Sequence, residues 1–432
     1  MSTPHDTSQI AHAVAGLDAW FTTMRGADGY GGPVAHWWQQ SLLYTGAGLD
    51  WRYEGIIAGY LNLWHATSEP RYLVQALQAG DDLLAGQQLD GHFAASSFER
   101  NPASAGTPHE AACAAALLEL ARALRPVDQQ AAGRYQAAAL TNLDRCWVGK
   151  LWDAGQRRFA DDPGQQTFVP NKACTAAEAC FLAAEATGDA LWAHYALGSL
   201  EHVVRLQVTS GRCAGAIAQN QIGSRVVHKY FPIYIARCVP ALVRAYEWSS
   251  DARYAEAAIA AFRFIVQNCD AQGLPPVVVY QTGRANHTMR WVAAQADVLR
   301  AADLLRPYGL DADLAAVHAY MLAGQDATGG IRTAAGFTAQ RGARSTLPDA
   351  RDLLHVAGWC DKAFRYLSAK ISGPLPLVES ACVEQMCTLG GQTLRLVETP
   401  TQLAAWAGAE LRYVWHKGDA WASTAAPEWW LR

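Results

Sequence analysis

Apolar residues recur every three to four positions through long Ala- and Leu-rich stretches, and each stretch stops at Gly, Asp-Gly or Pro. The chain therefore reads as a succession of helices. Two kinds alternate. One ends in a recurring phrase, an apolar face followed by Gln, Asn or an equivalent and then a glycine stop: residues 20–29 (WFTTMRGADG), 83–91 (LLAGQQLDG), 203–211 (VVRLQVTSG), 264–273 (FIVQNCDAQG) and 320–329 (YMLAGQDATG). The other is more apolar and begins near Glu54, Pro108, Thr175, Phe231, Trp291 and Leu353. Six hairpins at this spacing predict two concentric rings, with the more apolar helix of each pair on the inside. The expected fold is all-α, an (α/α)6 toroid over residues 1–371. A C-terminal extension over 372–432 carries strand-like runs (LPLVES, QTLRLVE). The weakest repeat is the outer helix near 131–147, which lacks a clean Gln-x-x-x-Gly ending.

Composition supports one large packed body. About half of the 432 residues are apolar and 17% are charged, with no linker-like tract. A net charge of −4 and the absence of any run of five Lys or Arg argue against a nucleic-acid partner. No stretch has the length of a membrane span, and the first ten residues lack a secretion-signal pattern, so a cytoplasmic location is expected. The ten scattered cysteines read as buried free thiols, and no metal site or cofactor is expected.

The turns joining the helices, Ala66-Thr67-Ser68-Glu69-Pro70-Arg71-Tyr72, Ala186-Thr187-Gly188-Asp189 and Ser249-Ser250-Asp251-Ala252-Arg253-Tyr254, resemble those of the six-hairpin glycosidase superfamily. The resemblance covers residues 10–370, and it implies a toroid and a sugar-active enzyme. The outer-helix endings are also similar to the Gln-Trp repeats of terpenoid cyclases, though the expected Trp is mostly missing and no Asp-x-Asp-Asp motif occurs.

In such a ring the residues before and within the first turn of each inner helix share one cavity. Here they are polar and aromatic: Asp50, Trp51, Arg52, Tyr53 and Glu54; His109 and Glu110; Lys172 and Glu178; His228, Lys229 and Tyr230; Arg290 and Trp291; Arg351, Asp352, His355 and Trp359, with Trp38 at the mouth. Helix-dipole complementation and capping account for such residues singly. Repetition of both charge signs beside aromatics in every repeat calls for more. Paired carboxyls with stacking aromatics suit glycoside hydrolysis. The expected catalytic set is Glu110, Asp50, Glu178, Asp352 and Glu54, with Glu110 foremost because Pro108 sets its helix start and His109 adjoins it. Arg52, Lys172, Lys229, Arg290 and Arg351 predict a small-molecule substrate that is anionic. The alternative is a terpenoid cyclase-like enzyme acting on an isoprenoid diphosphate, recognisable by a deep apolar chamber instead of a wall of ionised carboxylates.

Overall fold

The computed structural model describes residues 4–35, 40–42, 48–93, 108–161, 164, 166–340 and 347–417. Within them run α1 (Pro4–Met24), α2 (Arg52–Thr67), α3 (Pro70–Gly86), α4 (Ala111–Leu124), α5 (Gln129–Asn142), the single turn α6 (Gly149–Leu151), α7 (Pro170–Thr187), α8 (Ala190–Arg205), α9 (Pro232–Ser249), α10 (Ala252–Gln267), α11 (Gln295–Leu305), α12 (Ala315–Leu322), the short α13 (Phe337–Gln340) and α14 (Ala357–Ser368). Helices α2, α4, α7, α9, α11 and α14 each touch the next, and α14 returns to α2, which closes an inner ring. Helices α3, α5, α8, α10 and α12 back onto the inner helix before them, while α1 backs onto α14. The chain is a six-hairpin (α/α)6 toroid.

Burial follows the two patterns. Nearly every residue of α7 from Pro170 to Ala184 is buried, whereas α10 buries one face (Tyr254, Ala257, Ala258, Ala261, Phe262, Phe264, Ile265). A helix covered on all sides must be apolar all round, and one at the rim needs a single stripe. Three inner helices start later or earlier than their apolar runs suggest. Proline at N1 starts α7 at Pro170, five residues before Thr175, because its missing N–H costs nothing there. Trp291 instead pairs as a strand with Ala334, and His355 bridges Arg332, so α11 and α14 begin four residues after Trp291 and Leu353.

The turns from inner to outer helix repeat one device three times. Ser68, Gly188 and Ser250 take the left-handed conformation (φ 58°, 72° and 58°). The hydroxyl before each, on Thr67, Thr187 and Ser249, donates to the carbonyl four residues back and accepts from the N–H two residues on. Both orphaned groups of the helix end are thereby satisfied.

The glutamine phrase has an equally physical meaning. The Nε2 of Gln87, Gln207 and Gln325 donates both to a glycine carbonyl in its own loop (Gly91, Gly215, Gly329) and to a carbonyl of the next outer helix (Ala138, Ala257, Ala13), at 2.8–3.2 Å. A Cβ on Gly215 or Gly329 would stand 2.2 Å from the Ala260 oxygen or 2.1 Å from the Gly16 oxygen, at φ near +90°, so only glycine allows the loop to lie on the neighbouring helix. The third copy, from Gln325 to Ala13, joins the last outer helix to the first. Gln325→Ala should therefore cost about 1–3 kcal/mol, read as a lower urea midpoint. An unchanged midpoint would show that the ring closes without this bond. The weak repeat near 131–147 has another ending: α5 runs into a π-helical turn, Leu143–Val148, and Asn142 takes over by donating to the Gly91 carbonyl while accepting from Trp147.

The C-terminal stretch QTLRLVE is a strand (Gln392–Glu398) in a four-stranded antiparallel meander with Val383–Leu389, Gln402–Ala407 and Glu410–His416; LPLVES forms none. The meander is fastened to the toroid by charge. His355 donates to or pairs with Asp326 (3.0 Å) and Glu398 (3.1 Å), and Glu398 also accepts from Trp20 and Lys417. Burial opposes the imidazolium, but Asp326 and Glu398 outweigh it and raise its pKa to about 9, while Glu398 and Asp326, despite their own burial, are held below the usual carboxylate range. His355 thus contributes roughly 3 kcal/mol that is fully present below about pH 6.5 and lost as pH rises through about 9. The carboxylates contribute above about pH 4.5 and lose it on acidification. An NMR titration should place His355 near 9, and Glu398→Gln should lower that value by about one unit or more; titration at 6.5 in the unsubstituted protein would refute the clamp.

Candidate functional site

The N-terminal ends of the inner helices converge on an aromatic rim. Trp51, just before α2, stacks on His109 before α4 (centroids 5.2 Å apart, planes 13° apart) and donates to the Gly358 carbonyl in α14 (3.1 Å). Trp291 and Trp359 face each other at 4.7 Å, and Trp359 donates to the Ala35 carbonyl. The rim joins α2, α4, α11 and α14, and its three tryptophans are buried.

Three carboxylates gather beneath it. The first turn of α4 carries Cys113, whose thiol donates to the Asp50 carbonyl (3.2 Å) and is pushed up by burial and then by the charges of Asp50, Glu110 and Glu54. Asp50 and Glu110, 60 positions apart in the sequence, both lie near this thiol, as does Glu54. Asp50 is held bidentately by Arg52 (2.8 and 2.9 Å), and Glu110 is buried at the end of the 3₁₀ turn Pro108–Glu110. His109 is half-buried; burial and the cations Arg237, Lys362 and Lys172 depress its pKa, so its imidazole is neutral at pH 7.

Below the rim the lumen is spanned by ion pairs. Glu54 accepts from Arg237 (2.9 Å) and Arg365 (2.9 Å); Arg237 also reaches Glu178 (3.0 Å), Arg365 reaches Asp297 (2.9 Å), and Arg300 lies 3.4 Å from Glu178. Burial favours a neutral Glu54, yet Arg237 and Arg365 prevail and hold it well below the usual carboxylate range. Beside them Asp361, paired with Lys362 at 2.6 Å, is raised to about 7 by burial, which the neighbouring cations offset in part.

The remaining expected residues are placed as follows. Asp352 accepts from the Phe337 and Thr338 amides and the Thr338 hydroxyl, fixing a loop. Lys172 pairs with Asp161, Arg290 with Asp270 and Arg351 with Asp349, while Lys229 is exposed. His228 meets the Tyr230 hydroxyl at 2.9 Å, and Tyr230 packs on Phe264. Tyr53 hydrogen-bonds Asp82 and the Tyr30 amide behind α2. His355 is engaged in the clamp to the meander. Trp38 lies outside the described residues. Arg237, Asp297, Asp361, Lys362 and Arg365 were not foreseen; the signal for them was charge inside helices otherwise apolar all round.

No protein-family pattern matches the chain, and no curated protein matches its sequence. Solved structures share the fold. A sugar epimerase from a ruminal bacterium superposes with TM-score 0.61 at 14% identity, over 85% of this chain and 98% of that one. A D-mannose isomerase gives 0.61 at 14% over 86% and 99%, and an unsaturated glucuronyl hydrolase specific for heparin gives 0.56 at 11% over 84% and 95%. Among the described residues no helix is long and apolar enough to cross a membrane.

Proposed function

We propose that the chain is a carbohydrate-active enzyme that binds a sugar at the N-terminal mouth of the toroid. Glu110 acts there as proton donor or acceptor, most simply in hydrolysis of a glycosidic bond with Asp50 as the second carboxylate. What supports this reading is the nearness of Asp50, Glu54 and Glu110 to the Cys113 thiol, together with the stack of Trp51 on His109, the residue next to Glu110. In hydrolysis one carboxyl protonates the leaving oxygen, and the other activates water or attacks. Arg52 orients Asp50. The ionised groups spanning the lumen suit a polyhydroxylated substrate better than an isoprenoid, which calls for apolar walls. Four of the five cations expected to draw an anion are each held by a carboxylate, so preference for an acidic sugar rests on Lys229 and the helix N-termini.

A second reading is favoured by one feature. Neutral His109 beside Glu110 can abstract a proton next to a sugar carbonyl, as an epimerase or isomerase requires, and two of the structures sharing the fold are named for those activities. Incubation with acidic and neutral oligosaccharides and with free aldoses separates the two: new reducing ends mark hydrolysis, and solvent deuterium at the carbon beside the carbonyl marks isomerisation. Neither signal over the whole panel would overturn the proposal.

A further inference from the structure

At the opposite end of the lumen, where the inner helices finish, lies a cavity of about 680 Å³. Its volume falls in the range of small-molecule sites, about 300–1,000 Å³. All six inner helices contribute side chains to its lining, and its floor is the other side of the ion-pair layer, Glu54, Glu178, Arg300 and Arg365. We propose that this cavity is a second binding site, distinct from the N-terminal mouth, for a neutral polyol of mono- to disaccharide size.

Two observations select that chemistry. The first concerns charge: five cationic side chains and four carboxylates line the cavity, and those at the rim are already matched, Arg122 with Glu119, Arg244 with Glu185 and Lys370 with Asp303. A net charge on the ligand would find no unmatched counter-charge. The second concerns the floor. Glu54 and Arg365, 8% and 6% exposed, are joined through Oε1 and Nη1, yet Glu54 Oε2 and Arg365 Nε meet no hydrogen-bond partner among the described residues. A buried acceptor and a buried donor left open on one ion pair are costly; both atoms have almost no accessible area, so the two side chains must turn toward the cavity before a ligand hydroxyl, which donates and accepts, can answer them. Ala58, Leu61, Ala115 and Leu182 offer the apolar wall on which the C–H face of a sugar packs. The inference stands apart from catalysis at the other mouth and does not depend on it.

Calorimetric titration of the full chain with glucose, mannose and cellobiose, with inorganic phosphate as the anionic comparison, tests it. One equivalent of at least one sugar should bind with Kd of about 1 mM or tighter. Ala58→Trp and Ala123→Trp, which fill the cavity from two different helices, should each weaken that binding at least about tenfold. Trp359→Leu, at the other mouth, should leave binding at this cavity unchanged, as read from sugar contacts to the Tyr366 ring. In the unsubstituted protein, NMR contacts from the sugar to the Tyr366 ring should appear. Absence of saturable sugar binding, binding of phosphate in its place, or loss of binding in Trp359→Leu with retention in both filled variants would each overturn the proposal.

Discussion

Glu110→Gln is expected to lower kcat at least about a hundredfold while KM stays within a few-fold, since a positioned acid–base group typically contributes about 10² to 10⁴ in rate. The amide keeps the size and much of the hydrogen bonding of the carboxyl, so the start of α4 should stay folded and the melting temperature should move by no more than a few degrees. Asp50→Asn provides the contrast. It breaks the bidentate bridge to Arg52, which is buried with it, so rate, KM and stability should change together. Full turnover by Glu110→Gln would remove Glu110 from the chemistry and leave His109 as the leading proton carrier.

The second large effect is on stability. Arg237, 4% exposed, holds Glu54 and Glu178 at once and donates from Nε to the Thr175 hydroxyl. Arg237→Met leaves two buried carboxylates short of a partner, which should cost about 3–5 kcal/mol and lower the melting temperature by about 3–6 °C. Glu54 retains Arg365 and Glu178 retains Arg300, so the fold should survive. Adding Glu178→Gln removes one of the stranded charges and should recover part of the loss. A cost below about 1 kcal/mol for the single substitution would mean that water reaches the layer and solvates it.

Helix content, the two alternating kinds of helix and the closed ring were all legible in the sequence, because a 3.6-residue apolar period survives without knowledge of partners. The glutamine phrase was legible as a repeat, though not as a fastening, since the carbonyls it reaches lie on the next outer helix about 50 residues on, or 312 back for Gln325. The polar and aromatic positions at the helix starts were legible as breaks in an apolar pattern. The ion-pair layer was not. Glu54 and Arg237 stand 183 residues apart, and each looks like an isolated charge in an apolar helix until the ring brings them to 2.9 Å. Asp352 and His355 show the converse: their chemistry is suited to a site, and neighbours that only the fold supplies occupy them.

The seating of α1 against α14 sets an order of events during synthesis. Trp20 and Phe21 find their neighbours His355 and Phe364 more than 330 residues on, so α1 leaves the ribosome long before the helix that covers it. At about 5–20 residues per second, its apolar stripe waits on the order of half a minute for α12 and α14. Nascent chains arrested before α14 should therefore be the ones that recruit chaperones and aggregate, and a permuted gene that starts at α2 and places α1 after the meander would shorten the wait.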